Sequence, residues 1–357
     1  MKKKICLIAQ FPPPIHGLSK AVDTIVNSQL TNSFDFEKIN LTNNKKFISN
    51  LIKIYKSNAE IFYFTISQTK WGNVRDLVIL KILNFRKRKS IIHLHGGYFR
   101  HLVDYEMSKL QSRLNYKAIS KVDYAIVLSP ILKSNFTNML EEEKILVVPN
   151  CIDNEYLLSD EEFDEKLSNL PLNNLLNVLY LSNFIQSKGY KEVLELARIE
   201  KERVENGAER RYLFHFAGKF FDEKEEKSFL EYIKENQLEQ YVIFYGVVDG
   251  KEKKDLLKQA DIFILLSRYP NEGQPISILE AMGNGCIIVT TDHAGIVDVV
   301  KDGVNGIVVN KEQQKNSEEL YNRMLCTKEI STCNRKIVMQ NYTETIYINN
   351  LKSIFNH

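Results

Sequence analysis

Residues 265–309 read LLSRYPNEGQPISILEAMGNGCIIVTTDHAGIVDVVKDGVNGIVV. The stretch closes one apolar, β-rich run, crosses a polar loop and opens a helical pattern near Ile276. It then enters a second β-rich run and returns through glycines to a third. Strand, helix and strand in that order predict a parallel βαβ unit. The loop Asn271-Glu272-Gly273-Gln274-Pro275 falls where the strand ends and the helix begins. Gly273 permits close approach of backbone, and Pro275 suits the position just before or within a first helical turn. The bare amides of Ile276 and Ser277 would form a helix N-terminus, a ready site for an anion such as a diphosphate. Glu272 and Glu280 stand eight positions apart. Each carboxylate can accept two hydrogen bonds from a vicinal diol. Each could equally decorate a helix start, where the dipole favours acids.

The same alternation extends in both directions. Before Asn150, strands are predicted at 5–9, 36–41, 61–65, 90–94, 124–128 and 145–148, with helical patterns such as 19–30, N-capped by Ser19, and 73–85 between them. After residue 174 a second series is predicted at 178–181, 213–217, 242–245, 262–266, 287–290 and 307–309. Residues 154–174 are acidic, contain Pro171 and several asparagines, and read as a linker. The expected fold class is therefore α/β, with two doubly wound parallel-sheet domains, 1–153 and 175–339, forming a cleft. Such sheets bind ligands at the carboxyl ends of their strands.

Composition bounds the rest. Hydrophobic residues make up 44% and charged residues 26% of 357 positions, the balance of a globular chain. The net charge of +3 conceals an asymmetry: the first 150 residues carry 23 Lys and Arg against 11 Asp and Glu, the remainder 25 against 34. A basic first half suits a phosphorylated substrate, nucleic acid or an anionic membrane surface. The five cysteines form no CxxC pair and no ligand-spaced set with histidine, which fits reduced thiols and a cytoplasmic protein. Lys2–Lys4 before an apolar stretch look like the start of a signal peptide. The stretch is too short for one and runs into Pro12-Pro13-Pro14, so it reads as a first strand. No run approaches the roughly 20 apolar residues of a membrane span. Any membrane contact is expected to be peripheral, at the inner face of the plasma membrane.

The string EGQPISILEAM, with Glu272 and Glu280 as an E-x7-E pair, resembles the signature of the retaining GT4-type (glycosyl transferases group 1) glycosyltransferases of GT-B fold. The resemblance covers nearly the whole chain. PPPIHGLS (12–19) looks like the family's first loop, with Gly17 where backbone approaches the donor diphosphate. HLHGG (93–97) places His95 at the position facing the donor sugar. VDYAIVLS and VVPNCID are similar to two further landmarks. LYLSNFIQSKGY (179–190) aligns with the family's diphosphate segment, and HFAGK (215–219) with the strand near the base. NYTETIYINNLKSIF looks like the final helix, 340–357, which returns to the first domain. Two departures stand out: Ser182-Asn183 replaces the usual Gly-Arg, leaving Lys188 as the clear cation with help expected from Lys219 or Arg268, and Cys151 replaces a hinge glycine.

The resemblance implies metal-independent transfer with retention, from a nucleoside-diphosphate sugar to a hydroxyl of a glycan or polyprenyl- or glycolipid-linked saccharide, in bacterial capsule, O-antigen or glycolipid synthesis. The donor is a substrate, UDP-sugar being favoured over GDP-sugar, and no cofactor or metal is expected; no Asp-x-Asp motif occurs. It assigns His95, Lys188 and Glu272 to the chemistry. Gly17, Asn183, Lys188, Lys219, Gly273, Gln274, Pro275, Ile276, Ser277 and Glu280 would hold the donor. His93 reads as structural, and His16 has no role. A lysine at a helix start opposes the dipole, so Lys188 is more readily explained by a bound phosphate. The basic cluster Arg86-Lys87-Arg88-Lys89 reads either as a favourable helix C-terminus or as a contact for anionic lipid. Rival readings are an epimerase or phosphorylase of the same architecture, an NAD-dependent oxidoreductase and a nucleic-acid binder. The oxidoreductase lacks a GxGxxG turn. The nucleic-acid binder leaves the acidic half and its glutamates unexplained.

Overall fold

The computed structural model describes residues 2–13, 17–170, 175–324 and 327–357. Two six-stranded parallel sheets account for the architecture. The first contains β1 (Lys3–Ala9), β2 (Phe34–Asn40), β3 (Ile61–Thr65), β4 (Lys89–His93), β5 (Tyr124–Val127) and β6 (Ile145–Val147), in the order β2-β1-β3-β4-β5-β6. The second contains β7 (Leu176–Leu181), β8 (Tyr212–Ala217), β9 (Val242–Gly246), β10 (Ile262–Leu265), β11 (Ile287–Thr291) and β12 (Gly306–Val309), in the order β12-β11-β10-β7-β8-β9. Every predicted strand is present, with ends displaced by two residues at most. Near-continuous apolar runs such as IFYFT in β3 are buried along their whole length, as strands covered on both faces must be.

The chain forms two compact units. The first comprises Met1–Cys151, Pro270–Gln274 and Glu344–His357; the second comprises Ile152–Tyr269 and Pro275–Thr343. In the first unit, alternate residues of the strands divide between two cores. Ile5, Leu7, Tyr63, Ile91 and Ile126 pack with Val22 and Ile25 of helix Gly17–Asn27 and with Tyr347, Ile348 and Leu351 of helix Glu344–Asn356. The C-terminal helix therefore belongs to the first unit. Helices Phe47–Lys56, Lys70–Arg86 and Lys109–Ile119 lead β2 to β3, β3 to β4 and β4 to β5. They step across the sheet in the opposite sense to helix Gly17–Asn27, so crossovers of one hand place them on the other face.

The second unit is built around aromatics: Phe184, Phe216, Phe220, Phe229 and Phe244 pack ring against ring, with Phe184 and Phe220 stacked at 4.0 Å.

Two local expectations need correction. Ser19 is not an N-cap: the helix begins at Gly17, and Ser19 lies buried inside it. The stretch read as a linker contains helix Asp160–Asn169, opened by a capping box between Ser159 and Glu162. It is anchored in the second unit by Lys166, whose buried ammonium donates to the carbonyls of Leu257 (3.0 Å) and Asn284 (2.7 Å). Acidic composition suggested a solvated connector, but Phe163 and Lys166 supply the buried face of an ordinary helix. Pro171 to Asn174 lie outside the described residues. Cys6, Cys151, Cys286 and Cys333 are free thiols. Among the described residues no helix is long and apolar enough to cross a membrane.

Candidate active site

The second sheet reverses its strand order between β7 and β10, so the loops leaving those two strands adjoin a topological switch point. They carry Asn183 and Lys188 on one side and the approach to helix Ile276–Gly283 on the other. The two loops pack directly: Arg268 N donates to Ser187 O (2.6 Å). Gly189 is held at φ 82°, and a Cβ there would fall 2.6 Å from the Leu266 carbonyl. Lys188 ends a 3₁₀ turn, Gln186–Lys188, immediately before that glycine, and its ammonium lies 5.5 Å from the centre of the Tyr269 ring. Half-buried on an aromatic face, the cation is held near the switch point by a cation–π contact. Gly218, at φ 146°, admits the Ser182 carbonyl, where a Cβ would lie at 1.9 Å. Asn183 and Lys219 are exposed beside this crossing. Phe184 N bonds to Lys219 O (2.9 Å), and the Lys219 ammonium sits over Phe221 at 5.5 Å.

Helix Ile276–Gly283 starts after Pro275, which provides no side-chain cap. Ile278 N turns back to Pro275 O (3.2 Å), which leaves the amides of Ile276 and Ser277 as the donors that a helix N-terminus offers an anion. Glu280, only 4% exposed, accepts from the Lys253 ammonium at 2.8 Å. That ammonium also sits 3.8 Å from the centre of the Tyr156 ring, and the Tyr156 hydroxyl donates to Asp249 (2.5 Å). Sequence reasoning singled out Glu280 but missed the Lys253, Tyr156 and Asp249 that surround it. Lys253 is one of four lysines in helix Gly250–Gln259, and Tyr156 lay in the supposed linker. Arg268, expected to support the diphosphate, is instead committed to Asp292 (2.5 Å), Gln314 (3.0 Å) and the Val309 carbonyl (3.1 Å). Those bonds fasten the loop after β10 to neighbouring strand ends, so the guanidinium is not an open anion ligand.

The remaining candidates lie in the first unit. His95 follows β4 by two residues, half-buried, with its ring stacked on His93 at 3.9 Å. His93 is fully buried and its Nδ1 meets the Tyr63 hydroxyl. Burial, then the neighbouring His95, holds the His93 pKa well below the ordinary histidine value, so the ring is a neutral platform. Gly96 and Gly273 sit where backbones touch: a Cβ on Gly96 would meet Gln68 Nε2 at 1.9 Å and Asn271 O at 2.6 Å. One on Gly273 would meet His95 O at 2.8 Å. Glu272 is buried in the same loop. Gln274 takes a partner that sequence did not suggest. Its side-chain oxygen accepts from Asn150 N (2.8 Å), and its carbonyl accepts from Asn150 Nδ2 (2.9 Å). Gln274 thus clamps the end of the first unit's sheet. Gly17 opens helix Gly17–Asn27; Pro14 to His16 of the first loop lie outside the described residues.

His215, on β8, the strand expected to lie near the base, is a core histidine. Its ring nitrogens meet Tyr245 Oη (2.9 Å) and Asn177 Oδ1 (3.0 Å), and burial lowers its pKa to about 4. No cluster of three or more potential metal ligands occurs among the described residues.

Two six-stranded Rossmann-like units with a C-terminal helix returning to the first define the GT-B class. A structure of HepE from Anabaena, in complex with UDP and glucose, matches all of this chain and all of its own at TM-score 0.73 with 16% identity, a likeness of fold. Residues 161–336 match the family described as "Glycosyl transferases group 1". The chain matches that family's model over just under half of its length and is a glycosyltransferase. Its relatives include a Klebsiella pneumoniae protein described as "Uncharacterized 41.2 kDa protein in cps region", 23% identical over 79% of this chain and 84% of that one. Another is the GDP-mannose:cellobiosyl-diphosphopolyprenol alpha-mannosyltransferase of Xanthomonas campestris, 22% identical over 87% of this chain and 84% of that one.

Proposed function

We propose that the protein transfers a hexose or N-acetylhexosamine, with retention and without a metal, from a nucleoside-diphosphate sugar to a hydroxyl of a glycan or lipid-linked saccharide. The setting is bacterial surface polysaccharide synthesis. The observation that carries this reading is the uncapped start of helix Ile276–Gly283, four residues before a carboxylate fixed by Lys253, on a unit whose switch point also bears Lys188.

In this reading the bond from the anomeric carbon to the diphosphate oxygen breaks while the acceptor oxygen bonds to the same face. The acceptor proton passes to the departing phosphate. Helix amides and Lys188 stabilise the charge that develops there, an electrostatic role that is often the largest catalytic term. Glu280 accepts from the ribose hydroxyls, and Glu272 and His95 orient the sugar. A UDP-sugar is the favoured donor, in keeping with the UDP bound by HepE, although the Xanthomonas relative is named for GDP-mannose.

The test is incubation with UDP-, GDP- and ADP-hexoses, with and without a chelator, following slow donor hydrolysis and the anomeric configuration of the sugar released. Hydrolysis of one donor, insensitive to chelator and with configuration kept, is expected. Inverted product, or loss of turnover with chelator, would overturn the retaining or metal-independent part.

A further inference from the structure

The sheet face of the first unit opposite the C-terminal helix is covered by three neighbouring helices, Phe47–Lys56, Lys70–Arg86 and Lys109–Ile119. Their inner sides supply ordinary core residues such as Ile54, Ile79, Leu83 and Ile119. Their outer sides are also apolar. On the first helix Ile48, Ile52 and Tyr55, spaced four and three apart, are each more than half exposed. On the second, Trp71, Val74, Val78 and Phe85 form one stripe, with Trp71 88% and Phe85 78% exposed. On the third, Leu110 and Leu114 are one turn apart and Leu110 is 69% exposed. Helices that show apolar residues on both sides are not stabilised in water by the outer set, and a contiguous exposed patch marks an interaction surface.

The charge around these stripes has one sign. The helices carry two, four and three lysines and arginines respectively, and Asp76 alone among acids. Asp76 is buried and paired with Arg75 at 2.9 Å. In the preceding segment, Glu106 and Asp104 are engaged by Lys70 and Arg100. The cluster expected from sequence to touch lipid contributes less: Arg86 bonds the Ser57 carbonyl and covers Tyr55, Lys87 caps its helix at φ 49°, and Lys89 lies in β4 over Tyr124.

We propose that this three-helix face docks on an anionic lipid bilayer, with the apolar stripes entering the headgroup boundary and the lysines meeting lipid phosphate. A basic rim around exposed Trp, Phe, Ile and Leu is the composition of an interfacial surface. A second copy of the same face would bring like charges together, and no acidic set accompanies the patch to relieve them. The inference is independent of the donor and acceptor assigned above.

The experiment is co-sedimentation of the full chain with phosphatidylcholine vesicles and with vesicles containing phosphatidylglycerol, across a salt series, alongside light scattering of the free protein. Binding to the anionic vesicles alone, weakened by salt, is expected. Replacing a lysine such as Lys53 or Lys117 by glutamine should lower partitioning about fivefold each. Trp71→Ser with Ile52→Ser should lower it tenfold or more, while donor hydrolysis and melting temperature stay those of the parent. Equal binding to both vesicle types, or unchanged binding by these variants, would overturn the proposal. So would a dimer that the Trp71→Ser, Ile52→Ser pair dissociates.

Discussion

Glu280 is a carboxylate whose geometry is set by a neighbour. The Lys253 ammonium holds one of its oxygens and is itself confined by the Tyr156 ring. Hydrogen bonds to a charged group contribute about 1.5–3 kcal/mol, so Glu280→Ala is expected to raise the KM for donor by one to two orders of magnitude. Lys253→Ala should act less on KM, by about tenfold, because the carboxylate remains while its orientation is lost. Steady-state kinetics with varied donor separate the two, and an unchanged KM in both variants would remove Glu280 from the site. His215 gives a prediction at the same scale. Its folded pKa, near 4, lies below the 6.5 of an exposed histidine. As pH falls from about 6.5 to 4 the unfolded chain takes up a proton that the folded chain refuses, so stability is lost in that window. Melting temperature should drop more steeply between pH 7 and 4 in the parent than in His215→Gln; parallel slopes would contradict the assignment.

Element boundaries were legible wherever periodicity and composition agreed. Twelve short β-rich runs separated by amphipathic stretches became twelve parallel strands, and the helix after Pro275 starts at Ile276 as expected. Reading failed where function and packing used the same residue types. Lys166 looks like a surface lysine in an acidic linker, yet it closes three acceptors inside the second unit. Gln274 lies inside the signature string, yet it binds Asn150. Lys253 could not be distinguished from Lys251 and Lys254 by spacing, because only the packing of its helix decides which lysine reaches Glu280. Gly273 is the element-level test. Its loop meets the His95 backbone so closely that a methyl group would lie 2.8 Å from a carbonyl oxygen that cannot swing aside. Gly273→Ala is expected to cost about 1–3 kcal/mol in a urea titration and to lower kcat through a displaced loop. A variant as stable and active as the parent would mean the contact is slack.

For the molecule as a whole, the two proposals give the halves of the charge asymmetry different roles. In them the basic first unit would present its helices to a lipid surface, and the second unit's helix start and Lys188 would receive an anion. The family and the GT-B fold follow from sequence signature and architecture, whereas the sugar, the base and the acceptor depend on loop side chains. The central claim is that Lys188 and the bare turn at Ile276 together receive a nucleoside diphosphate. Calorimetric titration of UDP into the parent and into Lys188→Ala tests it most directly, with turnover of the matching UDP-sugar measured on the same samples. Saturable binding by the parent, weakened about tenfold or more in the variant with a larger loss in kcat, is the expected result. Equal affinity and turnover in both proteins would contradict it.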